Sequence, residues 1–481
     1  MNVRVVNLST LSHEDASMLH RFLQSFESET DKFLKVKLFE PGKCYEFDRY
    51  IPFQVSETMV RRTKFSNDMK TFVYTVYSEA NLMGKGGFGA VYPVSGILKH
   101  LDGKMVFKSK NEKPQVIKKQ ILHHDCAKTE NFLARKLPDT KMKKITFIYH
   151  EGEKCLSFNV MARIKGEDFS NTILDHPYTI LQRIVLSISG LNDLKKIHTA
   201  GIIQRDIKPQ NMLVDHAGMS LRILDFGVGR EKNNQDSKSV GTYPFKSPDM
   251  IVNRKTAGAE SDVYCMGLVL CKLFGDNNIR LEERVEQEAI KKTRIKQYKS
   301  NGKYGLLLDG RIINQWKKEY PWSDITKLKT ILYSLTAARP ENRASIDDAL
   351  SGFIRLLREV PMQEAFKQQD APAIAMMLEF GVKPDYAAFT KAVDDNQWES
   401  VLSFVKANPE NIASSQDCAT AYAYALSASK RKNTYDDANF CLFVNTTMVD
   451  PIREVKKIIS DEVRNGCQTD GKTNQHFRTF G

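Results

Sequence analysis

Ile202-Ile203-Gln204-Arg205-Asp206-Ile207-Lys208-Pro209-Gln210-Asn211-Met212-Leu213 decides how this chain is read. An apolar pair leads in, polar groups stand at fixed offsets, and an apolar strand leads out. Downstream, Ile223-Leu224-Asp225-Phe226-Gly227 is an apolar strand that delivers one carboxylate and then a glycine pivot. Read blandly, the pair is a hairpin whose turn happens to be charged. Read chemically, it gathers Asp206, Lys208, Asn211 and Asp225 into one short stretch. Phosphoryl transfer needs that inventory: a carboxylate to orient the attacking hydroxyl, a cation on the moving phosphoryl group and oxygen ligands for Mg²⁺.

Upstream stands Gly84-Lys85-Gly86-Gly87-Phe88-Gly89-Ala90-Val91. Glycines let a backbone pass close over phosphates, and successive amides can donate to phosphate oxygens. The cluster follows a strand-like stretch from Phe72 to Met83 and runs into another strand, Val91-Tyr92-Pro93-Val94. A dinucleotide-binding fingerprint would open a helix instead, so that reading fails. Taken alone, the cluster fits a plain glycine hairpin nearly as well as a nucleotide loop.

In order and spacing, these motifs resemble the eukaryotic-like serine/threonine protein kinase superfamily. Later landmarks extend the resemblance. Gly241-Thr242-Tyr243 and Ser247-Pro248-Asp249 look like the end of an activation segment. Asp262-Val263-Tyr264-Cys265-Met266-Gly267 looks like a buried helix whose aspartate braces the catalytic loop, and Arg343 looks like the arginine that pairs with Asp249. The resemblance implies an α+β, bilobal fold, with a small β-rich lobe before a larger helical one. Periodicity agrees: a strand-rich stretch runs to about Ala162, and helix-spaced apolar residues begin at Ile180. The implied domains are an N-terminal extension over 1–70, a kinase domain over 71–358, a helical module over 361–430 with degenerate ankyrin-like texture, and a C-terminal tail over 431–481.

By the same resemblance, ATP and Mg²⁺ (or Mn²⁺) bind between the lobes. Asp206 is the catalytic base, Lys208 neutralises the γ-phosphate, and Asn211 and Asp225 hold the metal ions. Gly84, Lys85, Gly86, Gly87, Phe88 and Gly89 cover the phosphates. Met161 is the gatekeeper, the backbones of Ala162 and Ile164 meet the adenine, and Val91 and Leu213 pack its faces. Two lysines compete for the contact to the α and β phosphates: Lys108 and Lys118. Lys118 is preferred. Asp102-Gly103 is a strong turn signal, so Lys108 can belong to the return arm of an inserted hairpin. Lys118 instead opens into the short connection before a helix, near whose start the partner Glu130 is expected. Ser237, Ser239, Thr242 and Tyr243 are candidate regulatory phosphorylation sites. Lysine two residues after Asp206 is the serine/threonine-type pattern. Gln204 departs from the family, standing where histidine is usual; so does Asp249, where glutamate is usual.

Composition sets outer bounds. The chain has 481 residues, 41% apolar and 27% charged, with a formal net charge of +13. These values fit a globular protein of two or three domains that favours acidic partners in general. Basic runs at 141–144 and 291–296 read as solvated faces, so nucleic-acid binding is not expected. Eight cysteines without CxxC pairs fit a reducing compartment. No apolar run reaches the ~18 residues of a membrane span. The expected location is cytoplasmic. The divergent small lobe and repeat-like tail resemble effector kinases that intracellular bacteria (Legionella-type) deliver into host cells. The expected reaction is transfer of the γ-phosphoryl group of ATP to protein serine or threonine, with autophosphorylation, and the C-terminal module would bind partners. The alternatives are a catalytically dead scaffold and a kinase of a non-protein substrate.

Overall fold

The computed structural model describes residues 3–25, 38–46, 52–66, 69–86, 89–149, 154–173, 175–234, 240–252, 258–278, 287–302, 304–395 and 397–407. Gly87, Phe88, Ser237, Ser239 and the span 408–481, which holds the end of the expected helical module and the expected tail, lie outside the described residues. The chain divides into two compact units. One takes in Met1–Lys165, Lys196–Asp206 and Leu224–Gly241; the other takes in Gly166–Lys195, Ile207–Ile223 and Thr242–Gly481.

In chain order the first elements are β1 (Arg4–Val6), α1 (His13–Ser25), β2 (Leu38–Phe39), β3 (Phe53–Val55), β4 (Thr58–Ser66), β5 (Met69–Tyr77), β6 (Gly84–Gly86), β7 (Gly89–Leu101), β8 (Lys104–Ser109), β9 (Gln115–His123), α2 (His124–Arg135), β10 (Thr146–Tyr149) and β11 (Lys154–Ala162). They build a nine-stranded sheet in the order β10-β11-β9-β7-β5-β4-β2, with β6 and β8 also paired to β7. β1 and β3 pair separately. β4 falls within the span expected to be an N-terminal extension, yet it pairs with β5 along nine residues. That stretch is therefore hydrogen-bonded into the sheet. β5 starts at Met69 and ends at Tyr77, so the strand expected from Phe72 to Met83 is shifted, with turn residues at 79–80.

The local chemistry explains these elements. Ser12 caps α1: its hydroxyl accepts from the Asp15 N–H at 3.0 Å and donates to the Asp15 carboxylate at 2.7 Å. The helix then buries Met18, Leu19, Phe22 and Leu23, which share one face at i, i+1, i+4 and i+5. They join Phe39, Phe53, Met59, Tyr74, Val76, Leu98 and Met105 in one core. Phe22 meets Phe53 edge-to-face with ring centroids 5.0 Å apart, an arrangement the ring quadrupoles favour. The sheet's other face holds a second core of Val60, Tyr77, Tyr92, Val94, Ile117, Leu156, Phe158 and Val160. Between β7 and β8, Asp102 and Gly103 adopt φ of 48° and 72°. Positive φ at both turn residues matches the right-handed twist of the strands, and the resulting hairpin pairs Leu101 with Lys104. The inserted hairpin expected from Asp102-Gly103 is present.

The remaining elements are β12 (Glu167–Asp168), α3 (Phe169–Thr172), α4 (Ile180–Thr199), β13 (Ile202–Ile203), β14 (Met212–Asp215), β15 (Ser220–Ile223), β16 (Arg230–Glu231), α5 (Pro248–Val252), α6 (Ala259–Leu273), α7 (Gln287–Ser300), α8 (Gly310–Glu319), α9 (Ile325–Leu335), α10 (Ile346–Glu359), α11 (Met362–Lys367), α12 (Ala371–Glu379), α13 (Tyr386–Asp394) and α14 (Trp398–Ala407). β13 pairs with β16 in the β-rich unit, and β14 lies between β12 and β15 in the helical unit. α6 is buried from Ser261 to Leu273, which marks it as a core helix. Four short helices, α11 to α14, follow the last long one within the described part of 361–430.

Arg343 organises the helical unit. Its guanidinium meets Asp249 at 2.7 Å, with the two side chains 1% and 2% exposed. It also donates to the carbonyls of Glu260, Ala337 and Ala338. Asp249 in turn accepts from the Ser261 hydroxyl at 2.5 Å. Removing one partner of such a pair leaves an uncompensated buried charge, at a cost of about 3–5 kcal/mol. Arg343→Ala is expected to lower the thermal midpoint of this unit by about 10 °C. Differential scanning calorimetry would check this, and an unchanged midpoint would contradict it.

Candidate active site

β9 runs five residues past Lys118, and α2 begins immediately after it at His124. Glu130 therefore lies in the second half of α2, not at its start as expected, and Lys118 sits mid-strand. Period-2 alternation places Lys118 and Gln120 on one face of β9, and both reach Glu130. Lys118 Nζ lies 2.7 Å from Glu130 Oε1, and Gln120 Nε2 donates to Glu130 Oε2 at 3.0 Å. Glu130 is 3% exposed, so both of its oxygens need partners. On its other side, Lys118 Nζ stands 3.8 Å from Asp225 Oδ2. Burial alone would lower the Lys118 ammonium; the carboxylates of Glu130 and Asp225 outweigh it and raise the pKa above its ordinary value. The lysine is thus held charged at neutral pH. Lys108 stands elsewhere, exposed on β8 opposite Ile97.

A buried amide network backs this pair. Asn159 Nδ2 donates to Gln120 Oε1 at 3.3 Å, and Asn131 Nδ2 donates to Asn159 Oδ1 at 2.8 Å. Asn131 Nδ2 also reaches the Lys143 carbonyl at 2.8 Å. Gln120, Asn131 and Asn159 are 2%, 4% and 0% exposed. They tie α2 to β9 and β11 in the register that presents Glu130 to Lys118. Sequence reading missed all three. The available signal was polar residues at period 2 on strands that are otherwise apolar inside.

Asp225 and Asp206 belong to the same unit as Lys118. Asp225 has φ of 59°, a left-handed conformation that aspartate tolerates better than most residues. Its Oδ1 accepts from the Gly227 N–H at 2.9 Å, which leaves Oδ2 facing Lys118. Gln204 is fully buried and works in both directions. Its Oε1 accepts from the Asp206 N–H at 2.6 Å, and its Nε2 donates to the Asp225 carbonyl at 2.8 Å. Arg205, at φ of 68°, donates from Nε to the Val228 carbonyl at 2.7 Å. The loop carrying Asp206 is thereby fixed to the loop carrying Asp225. A primary amide, with one acceptor and two donors, has the groups this bridge uses where histidine is usual.

The other residues of this unit fall as follows. Gly84, Lys85 and Gly86 form β6 and pair with Val91, Ala90 and Gly89. A Cβ on Gly89 would lie 2.5 Å from the Lys119 carbonyl oxygen; no larger residue fits there without displacing the strand. Val91 is directly opposite Lys118, and Met161 is opposite Val116, on the same face of the sheet. Ala162 ends β11, and Ile164 follows it half-buried. In the helical unit, Lys208 Nζ donates to Thr242 Oγ1 at 2.7 Å, and the Asn211 N–H donates to the Lys208 carbonyl at 3.0 Å. Leu213 lies half-buried on β14, between Asp168 and Arg222. Tyr243 opens a single helical turn ending at Phe245.

Among the described residues, no three His, Cys, Asp or Glu side chains converge to hold a metal ion. The carboxylate of Asp225 is the kind of hard oxygen donor Mg²⁺ takes, since that ion binds through one or two carboxylates and completes its shell with water and substrate phosphates. In its own unit, Asp225 fits that mode through the Oδ2 that faces Lys118.

Comparison with known proteins gives a consistent family. A probable serine/threonine-protein kinase of Corynebacterium efficiens is 30% identical over 172 residues, 32% of this chain and 26% of that protein. The probable serine/threonine-protein kinase PknB of Corynebacterium glutamicum is 28% identical over 172 residues, again 32% of this chain and 26% of that protein. The serine/threonine-protein kinase PBL13 of Arabidopsis thaliana is 25% identical over 292 residues, 57% of this chain and 56% of that protein. The chain thus spans about a quarter of the first two relatives and about half of the third. The protein kinase domain model matches residues 77–352, more than half of the sequence, and the chain belongs to the protein kinase domain family.

Proposed function

We propose that this protein is a serine/threonine protein kinase that transfers the γ-phosphoryl group of ATP to hydroxyls of other proteins and of itself. The observation that carries the reading is Lys118, held charged between Glu130 and Asp225. In kinases of this family, the strand lysine–helix glutamate pair and the metal-binding aspartate must both be in place. Bound Mg·ATP supplies the transferable phosphoryl group and the divalent charge. Lys118 orients the α and β phosphates, Glu130 and its amide network fix Lys118, and Asp225, with Asn211 as the family resemblance implies, would supply oxygen ligands to the metal. Asp206 orients the attacking hydroxyl and accepts its proton. Lys208 offsets charge on the moving group and, through its bond to Thr242, joins the activation-segment end to the catalytic loop. Positioning and preorganised charge account for most of the rate.

Among the described residues no helix is long and apolar enough to cross a membrane. We place the enzyme in the reducing, ATP-containing cytoplasm, including a host cytoplasm if it is a delivered effector. This placement is supported by cysteine usage and by the five free cysteines among the described residues. The C-terminal helices α11 to α14 are the candidate partner-binding module.

The test is transfer of labelled phosphate from ATP with Mg²⁺, to a generic acceptor protein and to the chain itself, followed by phosphoamino-acid analysis. Label on serine or threonine, lost in Asp206→Ala, is the expected result. Folded wild type that binds ATP and transfers nothing would contradict the reading.

A further inference from the structure

The N-terminal strands and the inserted hairpin enlarge the sheet beyond what phosphoryl transfer uses, and α1 covers one face of that enlargement. The opposite face has an unusual charge pattern. Across it, Arg62 on β4 is opposite Val73 on β5, Val73 is opposite Lys99 on β7, and Lys99 is opposite Val106 on β8. Residues two apart share a face, so Lys64 lies beside Arg62, while Lys104 and Lys108 flank Val106. With strands ~4.8 Å apart and same-face neighbours ~6.7 Å apart, these five cations occupy a patch of roughly 14 Å by 14 Å. No Asp or Glu shares this face on the described residues of the four strands.

Among the described residues, no ion pair joins Arg62, Lys64, Lys99, Lys104 or Lys108 to a carboxylate. Arg62 Nε donates to the Thr75 hydroxyl, at 2.5 Å. Burial pushes its guanidinium down to about 10, which leaves it charged at neutral pH. Just past the end of β8, the Lys110 ammonium is lowered first by burial and then by the like charges of Lys108, Lys143, Arg62 and Lys113. A cluster of mutually repelling cations is a standing attraction for a polyanion. At the hairpin tip, Leu101 is 44% exposed on this same face, paired with Lys104.

We propose that this face docks on the negatively charged surface of a membrane, with the lysines among phosphorylated lipid headgroups and Leu101 at the acyl boundary. Three features favour that occupant over other polyanions. The cations are mostly lysines, compact point charges that accept headgroups in any orientation. The aromatic rings on this face, Tyr77 and Tyr92, are buried in the second core, so neither is open for a base to stack on, as single-stranded nucleic acid would require. An exposed leucine ringed by cations matches an interfacial anchor and gains nothing from a soluble acidic partner.

The test uses the full chain and sedimentation with vesicles: phosphatidylcholine alone, with 20% phosphatidylserine, or with 5% phosphatidylinositol bisphosphate. Each cation near an anionic surface is worth about a fivefold change in partitioning (~1 kcal/mol). Wild type is expected to bind both anionic vesicles and not the neutral ones. Lys64→Gln/Lys99→Gln/Lys104→Gln is expected to lower partitioning by about 100-fold. The charge-matched control, Lys292→Gln/Lys296→Gln/Lys299→Gln on exposed positions of α7, is expected to bind within fivefold of wild type. Leu101→Glu is expected to weaken vesicle binding while leaving binding of free inositol hexakisphosphate unchanged. Unaltered phosphate transfer to a soluble acceptor shows that each variant is folded. Absence of vesicle binding, equal losses in both triple variants, or a face that binds duplex RNA or an acidic protein and no vesicle would overturn the proposal.

Discussion

Asp225→Asn is expected to reduce phosphate transfer by about 10³-fold or more while leaving the fold intact. Asparagine is the informative replacement because the backbone at 225 has φ of 59°. Asparagine tolerates that conformation nearly as well as aspartate, whereas alanine adds about 1 kcal/mol of strain. The amide oxygen can still accept the Gly227 N–H that Oδ1 now accepts at 2.9 Å. What disappears is the negative charge: the ligand a divalent cation requires, and the second of the two carboxylates that hold Lys118 charged. Labelled-ATP transfer assays give the rate, and a thermal melt gives the fold. Loss of transfer with an unchanged melt is the expected outcome. Transfer near the wild-type rate would remove Asp225 from the mechanism.

What could be read in advance follows from the range of each interaction. Asp206, Lys208, Asn211 and Asp225 stand in two short segments, so local motif spacing was enough to single them out as candidates. The Asp102-Gly103 turn was legible for the same reason: its positive φ values are a local demand. The sheet enlargement was not legible. β4 pairs along its length with β5, but Thr58-Met59-Val60-Arg61-Arg62-Thr63-Lys64 reads as charged and amphipathic, because one face meets α1 and the other carries cations. Its strand character comes from partners distant in sequence, and β-propensity is context-dependent for that reason. Helix α2 was expected to begin near Glu130 and begins at His124. No proline or glycine separates it from β9, so the boundary left no punctuation to read. Gln120, Asn131 and Asn159 were invisible because amides acquire meaning only when three elements meet. Gln204 was noticed as a departure from the family, but its bridge between Asp206 and Asp225 is a tertiary fact.

Lys118→Ala is expected to abolish transfer, while Lys108→Ala changes it less than twofold. Lys118 reaches two carboxylates from a half-buried position. Lys108 is exposed and touches neither, and exposed substitutions away from such features shift stability by less than ~0.5 kcal/mol. Stability could mislead at Lys118, because truncation strands Glu130, whose side chain is 4% exposed. Leaving a buried charge unpaired costs about 3–5 kcal/mol, enough to mimic a catalytic defect by unfolding. Lys118→Met/Glu130→Gln separates the two effects. It removes both charges, keeps an amide for Gln120 to bond, and is expected to melt closer to wild type than Lys118→Ala while remaining inactive. pH offers an independent check. The folded Lys118 pKa is raised above its ordinary 10.5, so the stability the pair contributes is fully present below that value. It is lost only as pH rises through the folded pKa. Wild type should therefore show no Lys118-dependent change in stability between pH 6 and pH 9, and the gap to Lys118→Ala should narrow only above about 10.5. A double variant that recovers transfer along with stability would show that the lysine serves the fold alone, and a severe defect in Lys108→Ala would reassign the phosphate contact to the hairpin.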